Sequence, residues 1–290
     1  DQVPLNDLIA GTGMTPFQYR ALVPWTLQIF ADHFLPLPFI ATPRVLAFLI
    51  EIAAIFGALL AFRYYLGLLL KDSRQASLMS LVLILVLPFN YHLSNLWTFW
   101  FVYDMPSLLF FTLGLALLYE RRWPIYYPLF LLATFNRETT CFLTVIYLLT
   151  YVGREKPTRL GVHCLVQLII WLAVKTALYR LYAGNPGGEL GRYYFFENLR
   201  GISERPVYLP VLLSSLGFTW IPALILYRKI PDLFVRRACL VGPLFFLGML
   251  VKANAPELRI YGELLPVYVP AYLLLVREAV LQKTGDQNAT

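Results

Sequence analysis

"TFNRETTCF", residues 134–142, separates "IYYPLFLLA" (125–133) from "CFLTVIYLLTYV" (141–152), so Arg137 and Glu138 stand between two runs as apolar as lipid. A charged pair there is costly unless something nearby solvates or pairs it. The flanking apolar segments, 124–135 and 139–152, are too short to cross ~30 Å of hydrocarbon, which takes about 20 helical residues. Short apolar helices persist when their ends are buried in protein or line a wet cavity. The stretch therefore predicts a hairpin of short helices whose polar tip is held within an all-α membrane bundle.

The rest of the chain agrees. Of its 290 residues 59% are hydrophobic, 16% aromatic and only 14% charged, with a mean hydropathy of +0.62. Soluble domains carry about 25% charged residues, so the composition is that of a polytopic membrane protein. Further apolar segments run at 43–70, 76–89, 105–119, 161–182, 208–227, 237–252 and 261–276. No Gly-rich phosphate loop, HExxH, CxxC or GxSxG occurs, which removes the usual soluble-enzyme motifs. Cys141, Cys164 and Cys239 show no paired spacing and read as small core residues.

Basic residues set the expected orientation. Arg63, Lys71 and Arg74 form one group, Arg121 and Arg122 another, and Arg154, Lys156 and Arg159 a third. Arg228, Lys229, Arg236 and Arg237 make a fourth, with Arg277 and Lys283 a fifth. If the segments alternate, all five fall on one side, and the positive-inside rule makes that side cytoplasmic. This asymmetry accounts for most of the net charge of +7, so no nucleic-acid partner is implied. Residues 1–42, 90–104, the 136–138 tip, 183–207 and 253–260 then face outward. The organisation read from this is one transmembrane domain over 1–290: an outer segment (1–42), a helix bundle (43–276) and a cytoplasmic tail (277–290). Residue 1 begins outside with no span or signal peptide before it, so an upstream transmembrane helix is expected.

The outer segments carry the remaining polar chemistry. "TPFQYRALVPWTLQIFADHF" (15–34) reads as an interfacial helix, with Phe17, Leu22, Trp25, Leu27 and Ile29 apolar and Gln18, Arg20, Gln28 and Asp32 as its polar edge. Pro24 is expected to kink it. An ordinary surface helix is the bland alternative. Before it stand Asp1 and Asp7, either of which could be a general base or merely a solvated cap. In "NYHLSNLWTFWFVYDMP" (90–106) the aromatics Tyr91, Trp97, Trp100 and Tyr103 suit an interface belt. Asp104 either caps the helix opened by Pro106 or faces a cavity, and His92 stands alone. Arg192, Arg200 and Arg205 lie where the positive-inside rule disfavours them, which calls for anionic partners. The neighbouring Tyr193, Tyr194, Phe195 and Phe196 suit lipid or a sugar face. In "KANAPELRIYGE" (252–263), Glu257 and Arg259 can pair with each other or with Arg137 and Glu138, and the four charges are expected to approach one another in a cavity open to the outer face. Such charges form either a structural ion-pair network or a cationic pocket for a phosphate.

Taken together, the acidic N-terminal segment, "PFQYRALVPW", "YDMPSLLFF", "FNRET" and "PELRIYGELLP" make the chain resemble C-type integral-membrane glycosyltransferases that use polyprenyl-phosphate-linked sugars. The resemblance covers nearly the whole chain through short motifs. It implies helices of uneven length, an outer loop with juxtamembrane helices, and a catalytic acidic residue in that loop. Asp7 or Asp1 matches the last, with Asp104 a second candidate base. It also implies a lipid-linked sugar donor whose phosphate lies near Arg137, Arg259 or Arg20, with Glu138, Glu257 and Tyr103 lining the site. A divalent metal is left open. The implied partners are the polyprenyl-phosphate lipid and membrane lipids, in a bacterial inner membrane with the active face outward. Two other classes account for the same charges: a lipid or polysaccharide transporter or polymerase, although no internal repeat of the transporter kind is evident, and a non-catalytic membrane scaffold.

Overall fold

A computed structural model describes residues 3–34, 43–91, 101–187 and 193–287. Asp1, His92, Trp97, Trp100 and Arg192 lie outside the described residues. Those described are helical or irregular, with one isolated bridge between Thr15 and Gly187. In chain order the helices are α1 Leu5–Ala10, α2 Leu22–Phe34, α3 Pro43–Leu70, α4 Ser73–Ser80 and α5 Val82–Tyr91. Next come α6 Asp104–Glu120, α7 Trp123–Asn136, α8 Cys141–Tyr151, α9 Pro157–Leu181 and α10 Phe195–Glu204. The last are α11 Tyr208–Ser214, α12 Trp220–Ile225, α13 Leu233–Ala238, α14 Val241–Lys252 and α15 Leu265–Gln287.

Five helical stretches are long and apolar enough to cross a membrane: Pro43–Leu70, Ser73–Tyr91, Pro157–Leu181, Leu233–Lys252 and Leu258–Gln282. Their outward residues, such as Phe56, Leu85, Ile169 and Leu247, are exposed apolar side chains, as lipid-facing surfaces require. The protein is a membrane protein. α7 and α8, at 14 and 11 residues, are the short pair that the opening stretch predicts.

Several expectations need correction. The 208–227 segment is not one continuous helix, because Leu216, Gly217 and Phe218 adopt left-handed backbone between α11 and α12. The Val86 side chain packs where a Cβ on Gly217 would sit, so a side chain there would have to push Val86 aside. The last apolar helix does not stop at 276, because α15 runs on to Gln287. Pro24 does not kink a helix over 15–34, since α2 begins only at Leu22 and places the proline in its first turn, where no intrahelical N–H is lost.

The chain divides into two compact units. The first comprises 1–61, 99–144 and 155–192; the second 62–98, 145–154 and 193–290. In the first, α7 packs against α6, α9 and α2. α2 buries Val23 and Leu27 against Ala47, Val102 and Tyr103, while Ala21 packs with Val174, Leu178 and Tyr182 of the α9 end. In the second, Asn90 is a polar anchor: its amide donates to Leu258 O (2.8 Å) and its oxygen accepts from Leu216 N (2.8 Å). The Tyr268 hydroxyl donates to Cys239 O at 2.7 Å, lying against Gly242, where any Cβ would collide with it. Cys141, Cys164 and Cys239 form no disulfide.

Within each unit, segments expected on the same side meet. In the first, Glu155 pairs with Arg121 (3.8 Å) and Arg159 (3.3 Å). In the second, Arg237 donates to Val152 O (2.7 Å) beyond the C-terminal end of α8, and Arg277 to Gln75 (3.0 Å). On the side expected to be outer, Asn185 donates to Gly11 O and Gly13 O, and Thr15 N donates to Pro186 O. Gly187 has φ +143°, and a Cβ there would strike the Thr15 backbone. Gly187→Ala is therefore expected to cost about 1–3 kcal/mol of local stability. Limited proteolysis checks it: cleavage within residues 1–20 should accelerate, and an unchanged digestion rate would count against this staple.

Candidate functional site

The 136–140 reversal organises the polar residues of the first unit. α7 stops at Asn136 because Arg137 is extended (φ −157°, ψ 142°), and a single 3-10 turn over Glu138–Thr140 leads into α8. Asn136 is fully buried; its amide donates to Tyr103 O (3.0 Å) and Ser107 Oγ (2.8 Å), tying the tip to the start of α6. Thr140 Oγ1 donates back to Arg137 O at 2.9 Å, and the Trp171 indole of α9 donates to Glu138 O at 2.8 Å. Both carbonyls freed by the reversal thus find donors, as buried backbone must.

Arg137 and Asp104 form a buried ion pair, Nη1 to Oδ1 at 3.1 Å, with side chains 3% and 5% exposed. Asp104 is not the N-cap of α6, a position held by Tyr103. It is the first residue of α6, the preceding Tyr103 makes no side-chain cap, and the carboxylate goes to Arg137.

Glu138 faces two other cations. Arg20 reaches its two oxygens through Nη2 (2.8 Å) and Nε (3.4 Å), and Lys175 Nζ lies 3.8 Å from Oε2. The Arg20 guanidinium also stacks 4.6 Å from the Tyr103 ring centroid, a cation–π contact. Burial alone would raise the Glu138 pKa; the charges of Arg20, Lys175 and Arg137 outweigh it, and the carboxyl is held well below the usual glutamate range. Gln18 and Arg20 are accordingly not the polar edge of an interfacial helix. Both are buried, Gln18 bridging Gly13 N and Leu8 O and Arg20 bound to Glu138.

Two cations against one carboxylate leave donors over. Arg20 Nη1 and Lys175 Nζ are buried with no hydrogen bond, and so is the neighbouring Thr139 hydroxyl. Burying cationic donors in that state is costly. The arrangement is chemically suited to an oxyanion, which would accept from both cations.

Lys175 is the residue sequence reading passed over, because 161–182 counts as an ordinary apolar span. A signal was present. His163, Gln167, Trp171, Lys175 and Tyr179 recur every fourth residue along α9, which puts them on one face. Each meets a partner there. His163 stacks on Trp123, Gln167 accepts from the Tyr126 and Thr144 hydroxyls, and Tyr179 lies edge-on to Tyr19. An ionisable residue inside an apolar span marks a functional site by default.

The remaining candidates are placed as follows. Asp7 is exposed in the first turn of α1. Its neighbours Leu5 and Ile9 pack on the cluster containing Tyr103, so α1 is seated beside the ring that carries Arg20. Glu257 and Arg259 belong to the second unit and pair with each other at 2.9 Å, the first of the two pairings the sequence allowed. Among the described residues no group of three His, Cys, Asp or Glu side chains could hold a metal ion. No protein-family model, curated protein or solved structure matches the chain.

Proposed function

We propose that the protein is a multi-pass membrane glycosyltransferase, moving a sugar from a polyprenyl-phosphate donor to an acceptor on the extracytoplasmic face of a bacterial inner membrane. The observation that carries this reading is the Arg20–Glu138–Lys175 cluster, in which two buried cations share one half-exposed carboxylate and Arg20 Nη1 and Lys175 Nζ make no hydrogen bond. The meeting of the basic loops within each unit supports the orientation.

In this mechanism the donor's phosphate accepts from Arg20 Nη1 and Lys175 Nζ, while Glu138 holds Arg20 in place through its other nitrogens. The acceptor hydroxyl attacks the anomeric carbon as the bond from that carbon to the phosphate oxygen breaks, with inversion. The hydroxyl proton passes to the Asp7 carboxylate, and the charge developing on the leaving phosphate is met by preorganised cations. A donor already activated as a lipid phosphate needs no nucleotide-binding domain. The test is transfer from radiolabelled polyprenyl-phosphate sugars by protein in liposomes. Labelled product is expected, and absence of transfer from every lipid-linked sugar tried would favour a transporter or scaffold.

A further inference from the structure

α10 follows directly on Tyr193 and Tyr194, and two faces of this short helix differ sharply. On one, the buried Asn198 is pinned by three hydrogen bonds: its amide donates to Leu250 O and Ala253 O (2.8 Å each), and its oxygen accepts from Ala255 N (3.0 Å). Tyr194 N adds a bond to Val251 O at 2.9 Å. On the other, Tyr193, Phe196 and Leu199 are 64%, 81% and 44% exposed. Phe196 and Leu199, three residues apart within α10, share one edge, and the exposed Tyr193 stands just before the helix.

We infer that α10 is a membrane-surface helix, whose Tyr193–Phe196–Leu199 edge enters the bilayer at the boundary between acyl chains and headgroups. The pinning sets its depth. Leu250, Val251 and Ala253 are the last turn and cap of the Leu233–Lys252 stretch, which is long and apolar enough to span the membrane. A helix fastened to the end of a span lies where hydrocarbon gives way to headgroups. The edge suits that layer. Tyr193 carries the Lys252 ammonium 3.9 Å from its ring centroid, an amphipathic pairing of the kind found at interfaces. Arg200 continues the same face one turn beyond Phe196. A second copy of the chain is a poorer occupant, because three side chains supply far less than the ~800 Å² per partner of a stable interface. A sugar platform would be recessed, and Phe196 is not.

The test introduces Phe196→Trp, a change at a position exposed enough to leave the fold intact. Its added emission is read as the difference from the parent protein in liposomes. Brominated phosphatidylcholine with bromine near the headgroup end of the chains should quench most of that emission, while aqueous iodide should not. Leu199→Trp should behave alike, and adding Asn198→Ala should restore iodide access by unpinning the helix. Quenching by iodide with none from brominated lipid would overturn the proposal in favour of a water-facing surface. Protection from iodide that disappears on dilution with lipid would overturn it in favour of a second copy.

Discussion

Glu138→Ala is expected to destabilise the protein by about 3 kcal/mol, whereas Lys175→Met is expected to leave stability unchanged or raise it. Breaking a buried ion pair costs about 3–5 kcal/mol because the abandoned charge stays buried. Glu138 is the carboxylate that both Arg20 and Lys175 reach, and the low end applies because its side chain is 38% exposed and partly screened. Lys175 presents the opposite case. Its ammonium is buried, makes no hydrogen bond and stands 3.8 Å from its partner, so methionine of similar length removes a desolvated charge and keeps the packing. A residue that lowers stability is what a binding function leaves behind. Denaturant unfolding in detergent measures both variants. Equal losses in both would mean that the cluster is a plain structural network.

The Glu138 contribution also has a definite pH sign. Its folded pKa is depressed by the surrounding cations, so the stabilisation is fully present above the unfolded value of ~4.3. It disappears only as pH falls through the lower folded value. Mild acidification should therefore spare it.

Asp7→Asn should lower turnover by about two orders of magnitude while donor binding persists. Asparagine keeps size and hydrogen bonding but gives up basicity, and general-base catalysis is worth about 10²–10⁴ in rate. Asp7 is favoured because it is exposed, on a helix whose inner face packs against the Tyr103 cluster. Asp104 is a poorer base, since its carboxylate already serves the buried Arg137; Asp104→Asn should act mainly through stability. The assay is sugar transfer by purified variants under single-turnover conditions. Full activity for Asp7→Asn, with Asp104→Asn inactive but folded, would reverse the assignment.

Much of this architecture was legible in the residues. The apolar segments became helical, 208–227 with a break at Leu216–Phe218, and the short lengths of 124–135 and 139–152 pointed correctly to a pair too brief to span alone. The charges at Arg137 and Glu138 announced a buried polar tip, because lipid tolerates neither unpaired. The partners were not legible. Arg20 lies 118 residues from Glu138 in sequence, and no periodicity links a loop cation to a distant turn. Gln18 looked solvent-facing because its two backbone partners, Gly13 and Leu8, are supplied by a local fold that pattern alone does not specify. Lys175 was hidden for a different reason: it is one of only three charges, with Arg159 and Arg180, in the 25 residues of α9, and the helix still reads as an apolar span, although its four-residue spacing from Trp171 and Tyr179 marked a face. The break at Leu216–Phe218 was missed because two of its three left-handed residues carry side chains, and only Gly217 signals a turn.

The central claim is that Arg20 and Lys175 hold a lipid phosphate, and the most direct measurement is binding of polyprenyl phosphate to the purified full chain by native mass spectrometry. The wild type should retain the lipid, and polyprenol lacking the phosphate should bind at least about tenfold more weakly, a difference of roughly 1.4 kcal/mol. Lys175→Met should show the same loss with its unfolding transition intact. Equal retention of polyprenol and polyprenyl phosphate, or undiminished binding by Lys175→Met, would contradict the account.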